Sequence, residues 1–251
     1  MELGENVLEI IDYKKWSNKA TEWGSNYLLN LKDKPVRPNI EPGSIASLLP
    51  DAPPEEAEDP ELIFSDFEKI VPNAMTHWQH PRFFAYFPSN ASVASIVAEQ
   101  LVNTIAAQCM LWQTSPAATE IEEVMVQWLR SALGLPKHFS GTIHDAATTA
   151  TLSAVLTMRE LALNHKGLEK GLFEQKPLRI YSSAQTHSSI DKAVRLSGIG
   201  QNNLVKIKTD NNFAMRSDLL EEEILNDIAN DLKPAGTVSY THLTLPTNRE
   251  V

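Results

Sequence analysis

The sequence predicts an α/β chain in which a mainly parallel sheet is covered by helices and preceded by a helical arm. Three observations carry this. From Thr142 onward, short apolar runs alternate with helix-period segments, the pattern of βαβ units. Before Thr142 the apolar residues recur mostly at helical spacing. The Pro- and acid-rich stretch "KPVRPNIEPGSIASLLPDAPPEEAEDP" interrupts that first part and reads as a long surface connection or extended arm. At 251 residues the chain can bury one large core, or form a large domain with a smaller attachment.

Each element follows from its residues. Residues 7–31 carry Leu8, Ile11, Trp16, Trp23 and Tyr27 at helical spacing and read as an amphipathic helix. "PELIFSDFEKIVPNAMTHW" resumes helix period, and "HPRFFAYFP" breaks it with an extended aromatic segment between two prolines, suited to a core or a pocket wall. "SVASIVAEQLVNTIAAQCMLW" reads as a helix rich in small residues. In "SPAATEIEEVMVQWLRSALGLP", Ser115 is placed to cap, Pro116 fits the first turn, and Glu120, Glu122 and Glu123 complement the N-terminal dipole. Gly134 and Pro136 end that helix. Further on, "LRIYSS" and "NLVKIKT" read as strands, and "SSIDKAVRLSG" and "SDLLEEEILNDIANDLK" as helices.

Composition narrows the function. The net charge of −10 is spread along the chain, which argues against nucleic-acid or anionic-membrane partners. Cys109 is the only cysteine, so no disulfide forms within the chain, a reducing cytosol is the natural setting, and a structural zinc site is not expected. The N-terminus lacks a signal-peptide pattern, and no apolar run approaches the length of a membrane span. The expected location is cytoplasmic.

Two stretches carry candidate chemistry. In "GTIHDAATTATLSAVL" a strand or turn enters a long helix through small and hydroxyl residues. Free N–H groups at such a helix start suit a phosphate, with Thr148, Thr149 and Thr151 as hydroxyl donors, although Asp and Thr are also ordinary caps. In "YSSAQTHSSIDKA", His187 stands among small polar residues between a strand and a helix. It is either a loop histidine bonded to its neighbours or a flat ring presented at a strand's C-terminal end, where α/β sheets bind ligands. The phosphate-loop, dinucleotide-fold, zinc-protease and serine-elbow motifs are all missing. His77 and His80 flank Trp78 and offer only a weak metal pattern; no metal is expected.

Five ordered blocks, "HPRFFAYFPSNAS", "WQTSPAATEIEEVMVQWL", "GTIHDAATTATLSAVLTMRE", "IYSSAQTHSSIDKAVRLSGIG" and "DNNFAMRSDLLEEEI", resemble the pyridoxal-phosphate-dependent amino-acid decarboxylases of the aromatic-L-amino-acid decarboxylase type (group II). The resemblance covers residues 8–236. It implies the aspartate-aminotransferase-like fold (fold type I), with an incomplete large domain behind an N-terminal helical arm. It also implies pyridoxal 5'-phosphate as cofactor, an amino-acid substrate, and a homodimer of the full-length parent in which the arm wraps the partner. Carried over by position, His187 stacks on the pyridine ring and is implicated in protonating the substrate carbon. Ala147 and Thr148 hold the phosphate. Ser89, Tyr86 and Phe87 line the substrate pocket, and Gln108 and Met110 reach across the dimer. The implied reaction is decarboxylation of an aromatic or related L-amino acid to the amine and CO2.

The resemblance also shows what is missing. The family's aspartate in H-x-D-A-A and its Schiff-base lysine in N-P-H-K belong to the second half of the large domain. "NHK" at 164–166 and "HDAAT" at 144–148 occupy other family positions. After Thr237 the family pattern stops, and "VSYTHLTLPTNREV" reads as a non-native tail. The expected organisation is arm and connection at 1–85, first part of the cofactor domain at 86–237, and tail at 238–251. The chain by itself is expected to be inactive. Transamination or aldehyde-forming decarboxylation on the same fold remains open, as does a non-catalytic fragment acting only as an interaction or misfolded protein.

Overall fold

This computed structural model describes residues 8–86 and 91–238, which fall into two compact units divided between Ala107 and Gln108. In the first unit a 3-10 turn at Ile10–Asp12 leads into helix α1, Tyr13–Leu29. Helix α2, Pro60–Ile70, follows the Pro-rich connection; its Asp59 side chain accepts from the Glu61 N–H, and Pro60 occupies the first turn. The two helices meet through aromatic rings. Trp23 meets Phe67 edge-on at 4.9 Å between centroids and stacks on Tyr27 at 5.3 Å. The connection is tied down where the His77 N–H donates to the Val36 carbonyl.

Helix α3, Val93–Ile105, starts at Ser92, whose hydroxyl accepts from the Ser95 N–H. It ends sooner than the sequence pattern suggests, because Ala106 takes a left-handed φ of 52° and breaks the ladder before Cys109. Tyr13 and Thr104 join α1 to α3 through their hydroxyls, 3.0 Å apart.

The second unit opens on α4, Pro116–Ala132, which stops where Gly134 adopts a φ of 67°. Ser115 stands at the cap position without a side-chain cap bond. The first turn holds no acid: Glu120 instead accepts from the Trp112 indole, and Glu122 from the Ile143 N–H. Residues 141–146 form a loop rather than a strand, then α5, Ala147–Ala162, and a short α6, Lys166–Lys170, lead into the sheet.

Three parallel strands make that sheet: β1 Leu178–Ser183, β2 Leu204–Ile207 and β3 Lys233–Val238. Their order is β2-β1-β3, with Ile180 beside Leu204 on one side and Gly236 on the other. Helix α7, Ser189–Leu196, connects β1 to β2, and α8, Ser217–Ala229, connects β2 to β3. The chain thus leaves β1 to one side and returns to the other, which makes the C-terminal end of β1 a topological switch point.

Strand alternation gives β1 two buried faces. Leu178 and Ile180 join Val155 of α5 and Ile190, Ala193 and Val194 of α7 in the core. Arg179 and Tyr181 point the other way, to Asp227 of α8. Gly236 lets α5 approach β3 closely, since a Cβ there would stand 2.9 Å from Cγ of Met158 and closer still to its sulfur. An α/β layer with helices on both faces of a small parallel sheet is the architecture expected from the alternating pattern.

Candidate functional site

The site is assembled at the C-terminal end of β1. The loop of residues 184–188 leaves Ser183 and carries His187, an exposed ring, into the start of α7. The ring is not loose: its Nδ1 accepts the Ser189 N–H at 3.2 Å, as a side-chain acceptor does at a helix start. Nε2 has no hydrogen-bond partner among the described residues.

Beside it lies the start of α5. The first intrahelical bond runs from the Ala150 N–H to the Ala146 carbonyl. Among the described residues, no acceptor meets the N–H groups of Ala147, Thr148 and Thr149, as geometry dictates for a first turn. The half-buried Thr148 hydroxyl is likewise unengaged among the described residues. The other two threonines are differently placed. Thr149 turns its hydroxyl back to the Ala146 carbonyl at 2.7 Å and to the Asp145 carboxylate at 2.5 Å. That contact, above all, holds the Asp145 carboxyl below its ordinary range. Thr151 is buried, its Oγ1 3.5 Å from Oγ of Ser189.

The Thr151–Ser189 contact fixes how the two helix starts relate. Eight residues further along each helix, the Arg159 guanidinium donates to the Ser197 carbonyl at 2.8 Å. Contacts with the same offset at both ends mean that α5 and α7 run side by side in one direction. Their N-termini, and with them Thr148 and His187, therefore open at the same end of the sheet. Free N–H groups, a free hydroxyl and an exposed imidazole form a donor set that suits a phosphorylated aromatic ligand.

The other expected residues belong to other parts of the chain. Tyr86 belongs to the first unit, where it is exposed, has a φ of 56° and stacks on Trp78 at 5.7 Å. Phe87 and Ser89 lie outside the described residues. Gln108 and Met110 are exposed at the start of the second unit. His77 and His80 are buried and use their rings structurally. Nδ1 of His77 meets the Tyr27 hydroxyl at 2.7 Å, while His80 accepts the Arg82 N–H and lies 3.2 Å from the Lys32 carbonyl. Ser189 is the residue the sequence reading did not single out. Its only signal is its place as the second hydroxyl after His187, in the first turn of α7.

A fold and donor set of this kind suit a phosphorylated ligand at a sheet's switch point. The sequence signature described as "Pyridoxal-dependent decarboxylase conserved domain" matches residues 42–245, and the chain belongs to that family. It is 36% identical over 246 residues to the aromatic-L-amino-acid decarboxylase of Manduca sexta, covering 91% of this chain and 47% of that one. It is 34% identical over 242 residues to the phenylacetaldehyde synthase of Arabidopsis thaliana, covering 91% and 49%. Among solved structures, the tryptophan decarboxylase of Catharanthus roseus in complex with L-tryptophan superposes with a TM-score of 0.85 at 29% identity, over 92% of this chain and 49% of that one. The chain spans about half the length of the curated relatives it matches. The fold is that of the fold-type I pyridoxal-phosphate enzymes, and the cofactor of the family is pyridoxal phosphate.

Proposed function

We propose that the chain is the first half of a pyridoxal-phosphate-dependent decarboxylase acting on an aromatic or related L-amino acid, releasing the amine and CO2. The observation that supports this reading is that the N-termini of α5 and α7 open at the same end of the sheet, one bearing Thr148 and its first-turn N–H groups, the other preceded by the exposed His187. The N–H groups of Ala147 and Thr148, with the Thr148 hydroxyl, would donate to the phosphate oxygens. His187 would lie against the pyridine ring and hold a proton for delivery to the substrate carbon. Ser89, Tyr86 and Phe87 would bound the substrate pocket. When bound, the cofactor supplies an electron-withdrawing ring next to the bond that breaks.

The same reading extends to assembly and setting. The full-length parent works as a homodimer in the cytoplasm, with residues 1–85 as arm and connection, 86–237 as the first part of the cofactor domain, and 238–251 as a non-native tail. Its ligand is a small amino acid, not a nucleic acid or a membrane. The chain alone does not turn over, because the N-P-H-K lysine does not occur in it.

A second reading, aldehyde-forming decarboxylation, draws support from the likeness to phenylacetaldehyde synthase. One experiment tests both. The protein carrying the family's second half in frame after Thr237 is given pyridoxal phosphate and L-tryptophan, L-tyrosine or L-phenylalanine, and CO2 and organic product are measured. Amine with CO2 supports the first reading, and aldehyde the second. A folded, cofactor-loaded protein that releases no CO2 from any of the three overturns both.

A further inference from the structure

Ser189 touches both halves of the site. Its backbone N–H donates to Nδ1 of His187 at 3.2 Å, and its buried hydroxyl lies 3.5 Å from that of Thr151. Thr151 stands three residues beyond Thr148 on α5, on the same helical face. One residue at the first position of α7 thus joins the imidazole to the helix that presents the candidate phosphate donors. A backbone N–H can only donate, so the nitrogen it meets must offer a lone pair. In a neutral imidazole the proton then resides on the other nitrogen.

We propose that Ser189 is a positioning residue with two separable effects. Its N–H fixes neutral His187 as the Nε2–H tautomer, leaving Nε2 as the atom that carries and delivers the proton. Its hydroxyl holds the start of α7 against α5, so that ring and phosphate donors keep one spacing. This deepens the decarboxylase reading and rests on it for the identity of the ligand. The tautomer itself is a property of the protein without cofactor.

The test uses the longer protein that carries the family's second half after Thr237, with 15N-labelled histidine. In the cofactor-free protein, long-range 1H–15N correlation spectra of His187 should show protonated Nε2 and unprotonated Nδ1. The opposite tautomer, or an even mixture, would overturn the first effect. Ser189→Pro removes the N–H, at the cost of straining Ser188, whose αR backbone a following proline disfavours, and the expected result is a mixture of tautomers. An unchanged spectrum would count against the proposal. Should that variant not fold, the wild-type spectrum still decides. Ser189→Ala keeps the N–H and removes the hydroxyl. The tautomer should then persist while pyridoxal-phosphate affinity, measured by fluorescence titration, weakens about twofold to threefold, the scale of a long hydroxyl contact at 3.5 Å. Unchanged affinity would overturn the second effect. If wild type binds no pyridoxal phosphate, the decarboxylase reading fails, whatever the tautomer.

Discussion

Tyr181 donates its phenolic hydrogen to Oδ2 of Asp227 across 2.7 Å, on the face of β1 opposite α5 and α7. The same carboxylate oxygen accepts from Nε of Arg179 at 3.1 Å, so a charged acceptor buried under α8 is met by two donors from one strand. This clamp ties the central strand to the helix that precedes β3. Tyr181→Phe should therefore destabilise the fold by about 1–3 kcal/mol, the usual cost of removing one partner from a buried charged group. Urea unfolding followed by circular dichroism reads it; a loss below a few tenths would show that the clamp contributes little.

Burial first, and then the Asp227 contact, push the Tyr181 phenol well above its ordinary value. The sign of the pH effect follows. The folded state favours the neutral phenol, so its stabilisation is complete below the unfolded tyrosine pKa of about 10 and is lost as pH rises above it. Stability should fall on the alkaline side of pH 10, and Tyr181→Phe should flatten that limb. Equal alkaline slopes in both proteins would refute the assignment.

Gly236→Ala should cost about 1–3 kcal/mol, as overpacking does. The new methyl would meet Met158 at Cγ and even Cβ, atoms too near the α5 backbone to swing away. Met158→Ala should recover part of the loss in a double-mutant cycle. Strictly additive costs would place the strain elsewhere.

In the longer protein, His187→Ala should lose about 100-fold or more of the decarboxylation rate while keeping bound cofactor, since general acid–base groups contribute on that scale. The phosphate donors at Ala147 and Thr148 are untouched by the change. Activity within about twofold of wild type would make His187 a plain loop residue.

The 251-residue chain should not attach pyridoxal phosphate covalently at any single lysine, because it contains no N-P-H-K. Borohydride reduction with the cofactor present, followed by peptide mass mapping, is the measurement. One stoichiometrically modified lysine would disprove the expectation.

Local patterns were legible wherever the chain obeys local rules. "LRIYSS" and "NLVKIKT" became β1 and β2, and the periodic segments became α1, α2, α4, α7 and α8. The start of α5 is readable as a helix start of small and hydroxyl residues, where first-turn N–H groups are free by geometry. What stayed hidden depends on partners far away in sequence. Glu122 and Ser115 read as helix-start residues, but one carboxylate accepts from a loop N–H twenty-one residues on and the other side chain caps nothing. The left-handed turn at Ala106 has no glycine to announce it. The pairing of Thr151 with Ser189 joins residues on different helices, and no spacing rule brings them together.

The close fit of Met158 over Gly236 also imposes an order of events. α5 bears the candidate phosphate donors, yet part of its seat is a strand that leaves the ribosome about 80 residues later. At roughly 5–20 residues per second, the helix waits several seconds for that seat. A nascent chain therefore holds the most chemically suggestive part of its sequence before it can hold the site's final shape. During that interval a chaperone or a protease would meet an unsettled helix with an apolar underside.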